Sequence, residues 1–123
     1  MIDPALFGGP WVGETIGCDT PAHMWEITLF GAYLSIDTRW EGFTQRELLS
    51  GKLIEDQPAF SVDGYSRLAE VVDSQHFVIA GWDSKHAKTS KPALDVVFSR
   101  PGVAALLAHN VYRHYLDQKM RQP

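Results

Sequence analysis

The chain has one cysteine, a modest deficit of positive charge and no long apolar run, and each scarcity removes a class of protein. A lone Cys18 excludes an internal disulfide and fits a reducing compartment. No segment approaches the roughly 20 consecutive apolar residues that span a bilayer, so no membrane role is expected. Lys and Arg total 11 against 15 Asp and Glu, a net charge of −4 with a pI near 5.6. That balance lacks the basic footprint that phosphate backbones demand, so no nucleic acid is expected as a partner. Met1-Ile2-Asp3-Pro4 shows neither the basic nor the apolar region of a secretory leader, and the expected location is cytoplasmic. Zinc-ligand spacing, phosphate-binding loops and Ser-His-Asp signatures are missing too, so no metal and no cofactor are expected.

Aromatic residues and short alternating runs are what the chain does have. Hydrophobic residues make up 45% of 123 and charged residues 21%, the balance of one ordinary globular domain over 1–123. Four Trp, four Tyr and six Phe suit both strands and the walls of apolar pockets. The clearest unit is the stretch His23 to Glu41, where Gly31-Ala32 separates two alternating runs. Gly first in a two-residue loop fits a type II′ hairpin and sets the register. Phe30 then faces Tyr33, Leu29 faces Leu34, Ile27 faces Ile36, Glu26 faces Asp37, Trp25 faces Thr38 and His23 faces Trp40. One face carries His23, Trp25, Ile27, Leu29, Leu34, Ile36, Thr38 and Trp40, the better core or cavity wall. The other carries Met24, Glu26, Thr28, Phe30, Tyr33, Ser35, Asp37 and Arg39.

Further strands are expected at Trp11–Ile16, Leu48–Ile54 (interrupted at Ser50-Gly51), Ala59–Val62, Arg67–Val72, His76–Trp82 and Leu94–Ser99. Turn residues separate them, including the long stretch Asp83 to Pro92. About eight short strands over 11–99 with local connections predict a mainly β fold, an antiparallel up-and-down barrel. Pro101 suits a first helical turn, and Val103, Leu107, Val111 and Tyr115 recur every four residues. One C-terminal α-helix over about 101–119 is therefore expected against the sheet.

Gly9-Pro10-Trp11 opening the strands, and Arg100 followed by a closing helix, resemble the calycin superfamily, the group of lipocalins, fatty-acid-binding proteins and nitrobindin-like small barrels. The resemblance implies a lipocalin-like barrel in which Trp11 packs at the closed end under Arg100, both in structural roles. It also implies a small apolar ligand held at the opposite, open end. Guanidinium on indole is a sound physical pairing.

Candidate chemistry divides between the two hairpin faces. Glu26 and Asp37 come opposite each other, and two close carboxylates can yield a general acid. The alternative is a solvated outer face on which Arg39 offsets the repulsion. His23 sits on the apolar face and reads either as a proton shuttle or as a half-buried rim residue. His76 shares a strand with Val78, Ala80 and Trp82 and is expected on their face; it either converges with His23 on a ligand or is unrelated to it. The segment Asp83 to Pro92 holds three Lys and a His, and reads as a solvated loop or an anion-attracting lid. His109 and His114 diverge on a helix and form no ligand pair.

The leading expectation is binding of a small hydrophobic or aromatic molecule inside the barrel. Trp25, Ile27, Leu29, Leu34, Ile36, Thr38 and Trp40 would form one wall and Val78, Trp82, Val96 and Phe98 the other, with His23 or His76 orienting a polar end. A second reading is a cofactor-free enzyme, a cyclase, isomerase or lyase, with His23, Glu26, Asp37 or Tyr65 as its acid and base. A third is a ligand-free interaction module or homodimer that uses the outward Phe30, Tyr33 and Met24.

Overall fold

A computed structural model describes residues 4–17, 20–54, 59–62, 67–83, 94–103 and 107–121. The fold is mainly β, a curled antiparallel sheet with one C-terminal helix. After a 3-10 turn at Pro4–Leu6, the strands are β1 Gly9–Thr15, β2 His23–Phe30, β3 Tyr33–Trp40, β4 Arg46–Leu53, β5 Ala59–Val62, β6 Arg67–Asp73, β7 His76–Asp83 and β8 Leu94–Ser99. Each pairs antiparallel with the next, and β8 also pairs with β1 from Val12 to Thr15.

The hairpin β2–β3 has the register that its two-residue loop dictates, from Phe30↔Tyr33 to His23↔Trp40. Gly31 takes φ 62°, which a side chain would strain. Alternation then sorts the residues by face. Trp25, Ile27, Leu34 and Ile36 are buried in a core with Trp11, Phe77, Ile79, Trp82, Val96 and Phe98. Phe7, fully buried, joins that core from beyond the start of β1. These residues define the concave face.

The helix α1, Ala108–Arg121, lies on the convex face against β6, β7 and β8. Ala108 and Tyr115 pack with Val78 and Val97, and Val111, Tyr112, Ile16 and Val72 surround them. The helix starts later than Pro101 suggests. Pro101 and Gly102 form a turn instead, with Gly102 at φ 89° and Val103 N donating to Arg100 O at 3.1 Å. Leu107, expected in the buried stripe, stays 45% exposed.

The expected grouping on β7 also needs correction. Val78 belongs to the core under the helix, whereas Trp82 belongs to the concave core. Strict alternation would place them together, but the register shifts between Ile79 and Asp83 and Gly81 adopts φ 65°. This bulge rotates Trp82 to the concave side. The Asp95 carboxylate supports it by accepting from Gly81 N at 2.8 Å and from the Tyr112 hydroxyl at 2.6 Å, so bulge and helix share one anchor. That bond, helped by burial, pushes the Tyr112 phenol up to about 12.

Candidate functional site

An up-and-down chain course places alternate connections at opposite ends of the sheet. Residues 4–9, Gly31-Ala32, Ser74-Gln75 and Arg100 fall at one end, and Thr15, His23, Trp40, Arg46, Asp83 and Leu94 mark strand ends at the other. The first end is plugged. The Arg100 guanidinium carbon lies 3.9 Å from the centre of the Trp11 ring. Its nitrogens donate to Leu6 O at 2.8 Å and Pro10 O at 3.1 Å, while Trp11 Nε1 donates to Phe7 O at 2.9 Å. Phe77 meets Trp11 edge-on at 4.6 Å, which fills the space beneath. Burial lowers the Arg100 pKa, and nearby Glu26 partly opposes this, so the cation is held where it is less well hydrated.

Toward the other end the concave face loosens. Along β3 burial falls from Leu34 and Ile36, at 3% and 0% exposure, to half-buried Thr38 and Trp40. The register carries this onto β4, where Ile36↔Leu49 and Thr38↔Glu47 put half-buried Leu49 and exposed Glu47 on the same face. Leu53 is half-buried on that face as well and packs on the core, but at the Gly31-Ala32 end, where its N donates to Ala32 O at 2.8 Å. Thr38, Trp40, Leu49 and Glu47 keep solvent contact although they point to the core side, so the concave face is less closely covered toward the end away from Arg100.

Aromatic rings back this part of the concave face. His23, 6% exposed, stacks on Trp40 with ring centres 4.1 Å apart and lies 6.0 Å from Phe98. Trp25 packs on Phe98 at 4.2 Å and meets Trp82 edge-on at 5.5 Å. Its Nε1 is buried with no hydrogen-bond partner among the described residues, which leaves an unsatisfied donor inside the core. Trp11 serves the plug, Trp25 is its direct cross-strand partner, and Trp40 and Trp82 lie toward the other end.

The other candidates fall elsewhere. Glu26 and Asp37 pair in register on the convex face, away from the aromatic core. Asp37 is held not by Arg39 but by Arg46 of β4, at 3.1 Å. His76 does not converge with His23. Two strands, β1 and β8, lie between them along the row His23, Gly13, Phe98, Phe77, and His76 alternates to the face opposite Phe77. Its Nδ1 is 2.8 Å from Asp73 Oδ1, which also accepts from Gln75 N at 2.7 Å, so His76 braces the β6–β7 turn. Ile27, Ile36, Val96 and Phe98 are packed to 3% exposure or less, and Leu29 is half-buried against the core at the hairpin end. Tyr65, Cys18 and most of the lysine-bearing segment after Asp83 lie outside the described residues.

Leu49 and Glu47 were not singled out in the sequence, because β4 reads as an interrupted strand at Ser50-Gly51. Extending the β2–β3 alternation one strand further would have found them. Among the described residues no cluster of three or more His, Cys, Asp or Glu is placed to hold a metal, and no helix is long and apolar enough to cross a membrane. Comparison with family models, curated proteins and solved structures finds no match to this chain.

Proposed function

We propose that this protein binds a small hydrophobic or aromatic molecule at a mouth formed by Thr38, Trp40 and Leu49, in a calycin-like barrel. The carrying observation is the contrast between the two ends: Arg100, Trp11 and Phe7 seal one, while core-facing residues at the other stay open to solvent. The Arg100–Trp11 stack and the β8–β1 pairing support the barrel reading. A planar ligand would lie against Trp40 and Leu49 with Trp25 and Trp82 behind. Apolar burial there contributes about 25 cal/mol per Å² before the costs of association. The buried Trp25 Nε1 is a donor for an acceptor atom on the ligand, and His23 a second polar group beside it. Binding is favoured over acid–base catalysis because the Glu26–Asp37 pair points away from this mouth.

Tryptophan fluorescence and thermal stability, followed while titrating naphthalene- and indole-sized aromatics, test the proposal. Saturable quenching with a rise in melting temperature is expected, and Thr38→Phe, which fills the mouth, should weaken it by about ten-fold or more. No response across the panel would refute it.

A further inference from the structure

The helix covers the convex side of β6, β7 and β8, and the convex side of β2, β3 and β4 carries a different surface. The register arranges that surface as four rows across the three strands. From the hairpin end they read Phe30–Tyr33–Lys52, Thr28–Ser35–Ser50, Glu26–Asp37–Leu48 and Met24–Arg39–Arg46. Large apolar side chains are unusually bare here: Phe30 is 62% exposed, Tyr33 66% and Leu48 73%. Aromatics thus crowd one edge of the surface, arginines the opposite edge, and small polar and acidic residues the middle.

We infer that this surface is a two-fold interface with a second copy of the same chain. A closed dimer needs a self-complementary patch, in which residue i meets residue j of the other copy and j meets i. Take a two-fold axis running across the strands, midway between the Thr28 row and the Glu26 row. It lays Tyr33 against the second copy's Arg39 and Phe30 against the second copy's Met24, each contact made twice. The first is a cation–π pair and the second a sulfur–aromatic contact. The same operation sets the hydroxyls of Thr28 and Ser35 against the carboxylates of Glu26 and Asp37. An axis along the strands instead brings Asp37 onto Asp37 and Arg39 onto Arg39, so charge selects the first arrangement. Lys52 then nears the second copy's Arg46, but Arg46 is neutralised by Asp37 in its own chain, and both sit at the rim, where aligned sheets diverge by about 30°.

Three strands at about 4.8 Å spacing and seven residues of about 3.4 Å each give a small footprint, below the roughly 800 Å² per partner of standard interfaces. The dimer is therefore concentration-dependent, and it leaves the concave mouth unobstructed.

Analytical ultracentrifugation of the full chain tests this. The expected mass rises from 13.8 kDa toward twice that value as concentration increases. Tyr33→Arg, which opposes Arg39 with a like charge, should raise the dissociation constant at least about ten-fold. Tyr33→Arg combined with Arg39→Tyr exchanges the two groups and should restore dimerisation, because the symmetry remakes the same pair. Phe30→Ser gives an independent second disruption, and circular dichroism confirms that each variant is folded. A mass of 13.8 kDa at every concentration up to millimolar overturns the inference. So does folded Tyr33→Arg protein with an unchanged constant, or an exchange variant that stays monomeric.

Discussion

Arg100 stacks on Trp11 across 89 positions of sequence, its guanidinium carbon 3.9 Å from the ring centre. The two nitrogens that bond Leu6 O and Pro10 O tie the start of the chain to the end of β8. The planar fork of arginine serves both tasks at once, stacking on the indole and reaching two carbonyls.

Arg100→Ala should therefore destabilise the fold by about 3 kcal/mol, the sum of a cation–π contact and two charge-assisted hydrogen bonds. Arg100→Lys should recover less than half, because an ammonium cannot bridge both carbonyls while stacked. Urea denaturation midpoints of the three proteins check the order. A lysine variant equal to the parent would mean that charge alone matters.

Gly13 makes a second long-range demand. A Cβ there would lie 2.5 Å from the Phe98 ring, and that ring is stacked 4.8 Å from Phe77 and packs tilted against Trp25 at 4.2 Å. The ring has nowhere to move, so Gly13→Ala should cost about 2 kcal/mol or more by overpacking. Thermal denaturation reads the loss directly. Gly17→Ala would be strained for a different reason, its φ of 83°, with open space around the site.

The Tyr112–Asp95 bond gives the helix an alkaline limit. Its phenol is raised from 10.0 to about 12 in the folded protein, so the neutral form is favoured by folding. A group raised in this way stabilises fully below its unfolded value and loses that contribution as pH climbs through the folded one. Stability should thus be steady below pH 10 and fall between 10 and 12. Tyr112→Phe should flatten much of that fall, leaving the part due to Tyr115, whose phenol burial also pushes up. Denaturation midpoints on either side of pH 10 in both proteins decide the matter, and identical slopes would contradict it.

Much of this architecture was legible in sequence, and the rest was hidden for identifiable reasons. The hairpin register could be read because a two-residue loop leaves one pairing, and Gly31 marks it. Trp11 and Arg100 could be matched because Gly9-Pro10-Trp11 and the closing Arg resemble the calycin pattern, and a guanidinium stacks well on indole. Trp82 and Val78 were grouped together because alternation assumes an unbroken strand, and the Gly81 bulge breaks it. His76 and His23 both appear at strand ends, yet only three-dimensional pairing shows that two strands lie between them and that they face opposite sides. Phe7 as part of the plug and Asp95 as the link between bulge and helix depend on contacts with distant parts of the chain, which no local pattern encodes.

The placing of Trp40 and Trp82 toward the proposed mouth, with Trp11 in the plug and Trp25 between, supplies an internal control for the binding proposal. Indole N–H resonances of the ¹⁵N-labelled protein, followed during titration with a naphthalene-sized aromatic, report all four positions in one spectrum. The account predicts progressive, saturable shifts for Trp40, Trp25 and Trp82 while Trp11 stays still. Four unmoved resonances across the ligand panel, or a shift led by Trp11, would contradict it.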